Sequence, residues 1–145
     1  MMAPATELAD IAGARTYRGS CHCGAVRFEC ELDLAAGTQR CNCSSCSKQR
    51  FWKAMVPETA FRLLEGDTVL TDYQFGSQRI RHRFCKVCGI KPYGIADIPD
   101  FGRLYAVNVA CLDGLSDVQR ALIPVRLENG READYDHGPA EGSYL

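Results

Sequence analysis

A small, mainly β domain of short antiparallel strands is the fold class this sequence predicts, and three observations predict it. Apolar and polar residues alternate with a period of two in several separate stretches. Gly-containing turns separate those stretches. Seven of the nine cysteines fall into three tight clusters, where metal ligands on turns could pin the strands together. The 145 residues fit one domain. An apolar share of 46% and a charged share of 24% are those of a globular chain, which argues against wholesale disorder.

The elements follow in order. Residues 1–15 read as a flexible N-terminal arm or one short amphipathic turn, residues 16–128 as the folded zinc-binding domain, and residues 129–145 as a polar, Gly-rich tail. Within the domain, "GAVRFECEL" puts Val26, Phe28, Cys30 and Leu32 on one face, with Arg27, Glu29 and Glu31 on the other. "FWKAMV" is a second strand. "AFRLLEG" and "TVLTDYQFG" read as two strands joined by the turn Glu65-Gly66-Asp67. "RIRHRFC" alternates Ile80, His82 and Phe84 with Arg79, Arg81 and Arg83, and Gly76 with Ser77 forms the turn before it. "RLYAVNVAC" sets Tyr105, Val107 and Val109 on one face. The single helical candidate spans Leu115–Leu122.

Charge and targeting signals narrow the function classes. With 17 basic and 18 acidic residues the net charge is −1, so there is no global basic excess of the kind that grips nucleic acid. No apolar run approaches the roughly 20 residues that span a bilayer. The opening "MMAPATELADIAGAR" lacks the basic start and apolar stretch of a secretory leader, so a cytoplasmic location is expected. In that reducing compartment clustered thiols point to metal or redox chemistry rather than to disulfides.

The cysteine spacing divides seven ligands as four plus three. "CKVCG" is a knuckle that aims Cys85 and Cys88 at one point, and "CHC" supplies Cys21 and Cys23. Together these four make a closed, structural zinc site. "CNCSSC" leaves Cys41, Cys43 and Cys46 for a second zinc with an open, catalytic position. A closed second site is the rival arrangement, with Cys111 as the fourth ligand ahead of His22, His82 and Asp97. Cys30 lies on the apolar face of its strand and reads as an ordinary buried thiol. Phe51 and Trp52 either wall a pocket or pack the core. Lys48, Arg50 and Lys53 either meet a substrate carboxylate or form a solvated face. Arg79, Arg81, Arg83, Lys86 and Lys91 could line a basic stripe near the structural zinc.

"GSCHCGAVRFEC", "CNCSSC" and "FCKVCGIKPYG", in this order and separation, closely resemble the family of glutathione-dependent formaldehyde-activating enzymes, which includes centromere protein V and its relatives. The resemblance runs from about Gly19 to Asp113, and "LTDYQFGS" and "YAVNVACLDG" look more like the centromere protein V branch. It implies a small β-rich fold around zinc, with two zinc ions on the seven cysteines named above. It also implies a carbon–sulfur lyase that joins glutathione, or another small thiol, to formaldehyde or a similar small aldehyde, or runs the reverse. The centromere protein V likeness implies the alternative of a non-catalytic zinc scaffold. Three thiolates leave such a zinc weakly Lewis-acidic, better suited to holding a bound thiol deprotonated than to activating water.

Overall fold

Alternation along Arg27–Leu32 (β2) buries Phe28, Cys30 and Leu32 and turns Arg27 and Glu31 to solvent. β2 is the centre of a three-stranded antiparallel sheet, between Arg15–Ser20 (β1) and Phe61–Glu65 (β5). The computed structural model describes residues 9–145. Residues 1–8 of the expected arm lie outside the described residues. Ile11 is fully buried, and the Arg15 guanidinium donates to the Ala9 and Ala12 carbonyls.

The second sheet has seven strands. Thr38–Cys41 (β3) pairs with Trp52–Pro57 (β4), and Ser44–Gln49 between them forms a short helix (α1). Leu70–Tyr73 (β6), Ile80–Cys85 (β7), Tyr93–Ile98 (β8) and Gly102–Asn108 (β9) follow. After the helix Asp117–Leu122 (α2) comes Val125–Glu128 (β10). The spatial order is β10-β3-β4-β9-β8-β7-β6. Every pairing is antiparallel except β10 with β3, which is parallel. Among the described residues no helix is long and apolar enough to cross a membrane.

The expected antiparallel β domain is therefore observed, with local differences. β1, β3, β8 and β10 are strands that alternation did not reveal. β8 is buried over Tyr93–Ala96, so it shows no polar phase to read. β5 and β6 do follow one another through the Gly66 turn, but they enter different sheets. Gly66 has φ +101°, and a Cβ there would stand 2.5 Å from the Ala25 carbonyl oxygen, so the turn requires glycine. The helix expected near Leu115–Leu122 begins at Asp117, where Ser116 and Gln119 form a capping box.

Between the sheets sits an aromatic cluster. Phe61 lies 4.5 Å from Tyr93 and 4.4 Å from Tyr105, centroid to centroid, and Phe28 stacks on Phe61 at 5.4 Å. Trp52 reaches the same core, and its indole N–H donates to Thr38 Oγ1 at 2.7 Å. Thr38 in turn donates to the Pro124 carbonyl at 2.8 Å, which ties the chain entering β10 to β3. Thr38→Val keeps the shape but orphans the buried indole N–H, while the Pro124 carbonyl keeps the Thr38 N–H. Its expected cost is about 1–3 kcal/mol of unfolding free energy in urea; an unchanged midpoint would show that this chain of bonds does not hold β10.

Candidate metal centre and the cysteine trio

Two loops of similar design meet at the junction of the sheets. Cys21 leaves the end of β1, and its loop closes with Gly24 N–H to the Cys21 carbonyl and Val26 N–H to Cys21 Sγ at 3.3 Å. Cys85 ends β7, and its loop closes with Gly89 N–H to the Cys85 carbonyl and Val87 N–H to Cys85 Sγ at 3.4 Å. The four sulfurs of Cys21, Cys23, Cys85 and Cys88 lie within 4.8 Å of one another. Cys21 to Cys23 is 3.6 Å and Cys23 to Cys85 is 3.7 Å. A tetrahedron with zinc–sulfur bonds of about 2.3 Å has edges of about 3.8 Å, so this cluster has the size and donor set to hold such an ion.

Among the described residues this is the group of Cys, His, Asp or Glu ligand atoms that converges so tightly. The sulfurs of Cys41, Cys43 and Cys46 do not all converge to that distance. Cys41 ends β3 and is buried. Cys43 caps α1, its sulfur accepting the Cys46 N–H at 3.4 Å, and Cys46 lies buried in the first turn of that helix. Cys43 stands next to both other thiols. This contact and burial push the Cys41 thiol well up, while contact with Cys43 brings Cys46 down to about 7 against the opposing effect of burial.

The C-terminal segment covers the trio. The Asn42 amide donates to Asn129 Oδ1 at 2.9 Å, and the Arg131 N–H donates to Asn42 Oδ1 at 3.1 Å. This brings Gly130 so near that a Cβ there would stand 2.5 Å from Cys41 Sγ and 3.1 Å from Cys43 Cβ. Beside it, Lys53 Nζ pairs with Glu128 Oε1 at 2.8 Å, both largely buried. Burial works against the Lys53 charge, but Glu128 outweighs it and raises the pKa.

Lys91 lies beside the trio as well. Its ammonium sits 3.9 Å over the Phe51 ring and donates to His82 Nδ1 at 2.6 Å. Burial lowers its pKa to about 8, opposed by the Cys46 and Cys43 thiols. His82 is pushed down to about 4 by burial and by Lys91.

The other expected residues distribute as follows. Phe51 packs with Cys41, Cys46 and Ala106, whereas Trp52 is core. Lys48 is on α1 and Arg50 is exposed at its end, in the left-handed region. Arg83 is tied to Asp72 and Tyr93, which breaks the basic stripe, and Lys91 turns toward the trio rather than joining it. Cys111 lines a separate cavity with Cys21 and His22. Asp97 pairs with Arg103, and the His82 Nδ1 is taken by Lys91. Cys30 is a buried thiol raised by burial to about 12. Asn42, Glu128 and Gly130 escaped sequence reasoning, since their role comes from β10 lying beside β3.

A family model described as glutathione-dependent formaldehyde-activating enzyme matches residues 16–126. The chain belongs to that family. The match takes in both cysteine pairs and the trio. A crystal structure of a Rhodobacter sphaeroides protein is similar at 36% identity with a TM-score of 0.64, covering 74% of this chain and 98% of that one.

Two consequences are measurable. Gly130→Ala is expected to lower stability by about 1–3 kcal/mol, an overpacking cost; a variant as stable as wild type would refute the close approach to Cys41. The second concerns pH. His82 has a folded pKa of about 4, below the ordinary 6.5, so the unfolded chain takes up a proton first as pH falls. The stability tied to neutral His82 is full above pH 6.5 and declines down to about pH 4. His82→Gln should flatten that part of the profile between pH 6.5 and 4 in urea titrations, and an unchanged slope would refute it.

Proposed function

We propose that the protein is a zinc-dependent carbon–sulfur lyase of its family's type, adding a small thiol such as glutathione to formaldehyde or a similar small aldehyde, or reversing that addition. In this reading Cys21, Cys23, Cys85 and Cys88 hold a structural zinc, and Cys41, Cys43 and Cys46 hold the catalytic one. The observation that carries it is the trio of neighbouring thiols between two largely buried lysines, of which one is matched by Glu128 and the other by no carboxylate.

Zinc on the trio would supply a centre at which an incoming thiol loses its proton. The rest falls to the chain. α1 and the end of β3 hold the three cysteines beside the edge strand β10, and the Asn129–Arg131 turn keeps solvent off Cys41. Lys53 and Lys91 offset the negative charge of the thiolates. In the addition, the sulfur–carbon bond forms and the carbonyl π bond breaks. The proton lost by the thiol ends on the carbonyl oxygen, giving an S-hydroxymethyl product. Proximity of the two reactants supplies most of the advantage over solution.

Metal analysis with variants tests this. Wild type is expected to carry two zinc ions, and Cys43→Ser one, with the fold kept. Cys85→Ser is expected to unfold, because structural zinc binding is worth ~10–16 kcal/mol, the scale of the whole folding free energy. Glutathione should bind wild type and not Cys43→Ser. Two zinc ions indifferent to glutathione would overturn the lyase and favour the non-catalytic scaffold; an unchanged melting temperature in Cys85→Ser would overturn the structural assignment.

A further inference from the structure

Formaldehyde needs almost no room, yet a long hollow runs beside the trio. It lies between α1 and the β6–β7 hairpin, as two adjoining cavities of about 380 and 310 Å³ that share Gln49 and Tyr73. This is the size range of small-molecule sites. One wall is aromatic: Tyr73 stacks on Phe75 at 5.7 Å and Phe75 on His82 at 5.4 Å, while Tyr73 and Phe75 remain substantially exposed. The opposite wall is the face of α1 that carries Ser45, Lys48 and Gln49. Its lining holds two lysines, Lys48 and Lys91, and no carboxylate. The carboxylate near the hairpin, Asp72, is already held by Arg83.

Lys91 marks the inner end. Its ammonium uses one proton on His82 and rests on the Phe51 face, which leaves donors free beside Cys46. Because His82 Nδ1 accepts from Lys91, the imidazole carries its proton on Nε2, a buried donor without a partner. A cation held by a neutral base, an exposed aromatic wall and a lining free of negative charge together select an occupant with a planar apolar body and an electron-rich oxygen.

We propose that this hollow binds the body of the carbonyl substrate, an aldehyde bearing an aromatic ring, with the ring against Tyr73 and Phe75 and the carbonyl oxygen at Lys91. This rests on the lyase reading and names its substrate class. When the thiol sulfur bonds to the aldehyde carbon, the carbonyl π electrons move to oxygen, and Lys91 stabilises that oxygen as it becomes a hydroxyl with the proton the thiol gave up. Lys91 is then a catalytic residue, and His82 a positioning residue that aims it.

Benzoate, a planar unreactive mimic, tests the site on the zinc-loaded protein by NMR titration against formate. Benzoate is expected to bind at least ~10-fold more tightly than formate, an aromatic-contact effect, and to shift the amides of Tyr73, His82 and Lys91. Phe75→Ala should remove most of that preference and Phe75→Leu restore part of it. Lys91→Met should weaken both anions, and Lys91→Arg should retain binding. Equal affinity for the two anions, shifts confined to other residues, or displacement from these residues by S-methylglutathione instead of benzoate would each overturn the proposal. If a variant fails to fold, the wild-type shifts and affinity ratio decide alone. Binding is read without turnover, so a protein that binds benzoate in this way but makes no thiol adduct refutes the lyase reading and leaves the hollow. One that acts on formaldehyde but ignores benzoate refutes only the hollow.

Discussion

The meeting of two cysteine loops is the constraint on which the rest of the structure depends. Cys21 and Cys23 follow β1, in the three-stranded sheet, and Cys85 and Cys88 follow β7, in the seven-stranded sheet. Their sulfurs converge across the joint between sheets. Among the described residues no disulfide crosses this joint, since the cysteines are all free. The aromatic cluster of Phe28, Phe61, Tyr93 and Tyr105 fills the space behind this joint, but hydrophobic contact alone is tolerant of sliding. Four sulfurs gathered on one metal ion would not be: such an ion would fix where β7 ends, and hence where the β6–β7 hairpin stands opposite α1.

The two cysteine groups are held by different means, and this separates their chemistry. In the four-thiol group the backbone does the work: N–H groups of Val26 and Val87 point at Cys21 and Cys85, and those of Ala25 and Ile90 at Cys23 and Cys88. Such donors cannot leave without unfolding the loops. In the trio backbone N–H groups also reach the sulfurs of Cys41 and Cys43, but two cations, Lys53 and Lys91, are added to them. Lys53 is committed to Glu128, but Lys91 has only a neutral imidazole and an aromatic face. A centre whose counter-charge can turn to a ligand suits exchange, whereas one satisfied by amides suits permanence.

Much of the fold was legible because one face of several strands is wet. β2 and β4 show the alternation that solvent imposes. β8 was illegible for the opposite reason, and β3 and β10 because four residues are too few for a pattern. The cysteine groups were legible as spacing, since a knuckle's geometry is local. The surroundings of the trio were not. Asn42 meets Asn129 and Arg131 only because β10 runs parallel to β3, a pairing of residues 87 positions apart in the case of Asn42 and Asn129. Lys91 looked like part of a basic stripe, because sequence gives the period of a strand but not which way the loop after the knuckle turns.

That loop turn carries a further consequence. The Ile90 carbonyl accepts from the Cys85 N–H, and the Lys91 carbonyl accepts from the Asn108 side chain at 2.9 Å, so the backbone on both sides of the Lys91 side chain is anchored. One anchor is the cysteine knuckle itself. The other is the end of β9, which pairs with β4 at Lys53. The position of the cation beside the trio is thus set by the four-thiol group on one side and by the central strands on the other. A change in the four-thiol group would reach Lys91, beside the trio, through three residues of backbone. The two cysteine groups share no cysteine, and the short segment Cys88–Lys91 joins them.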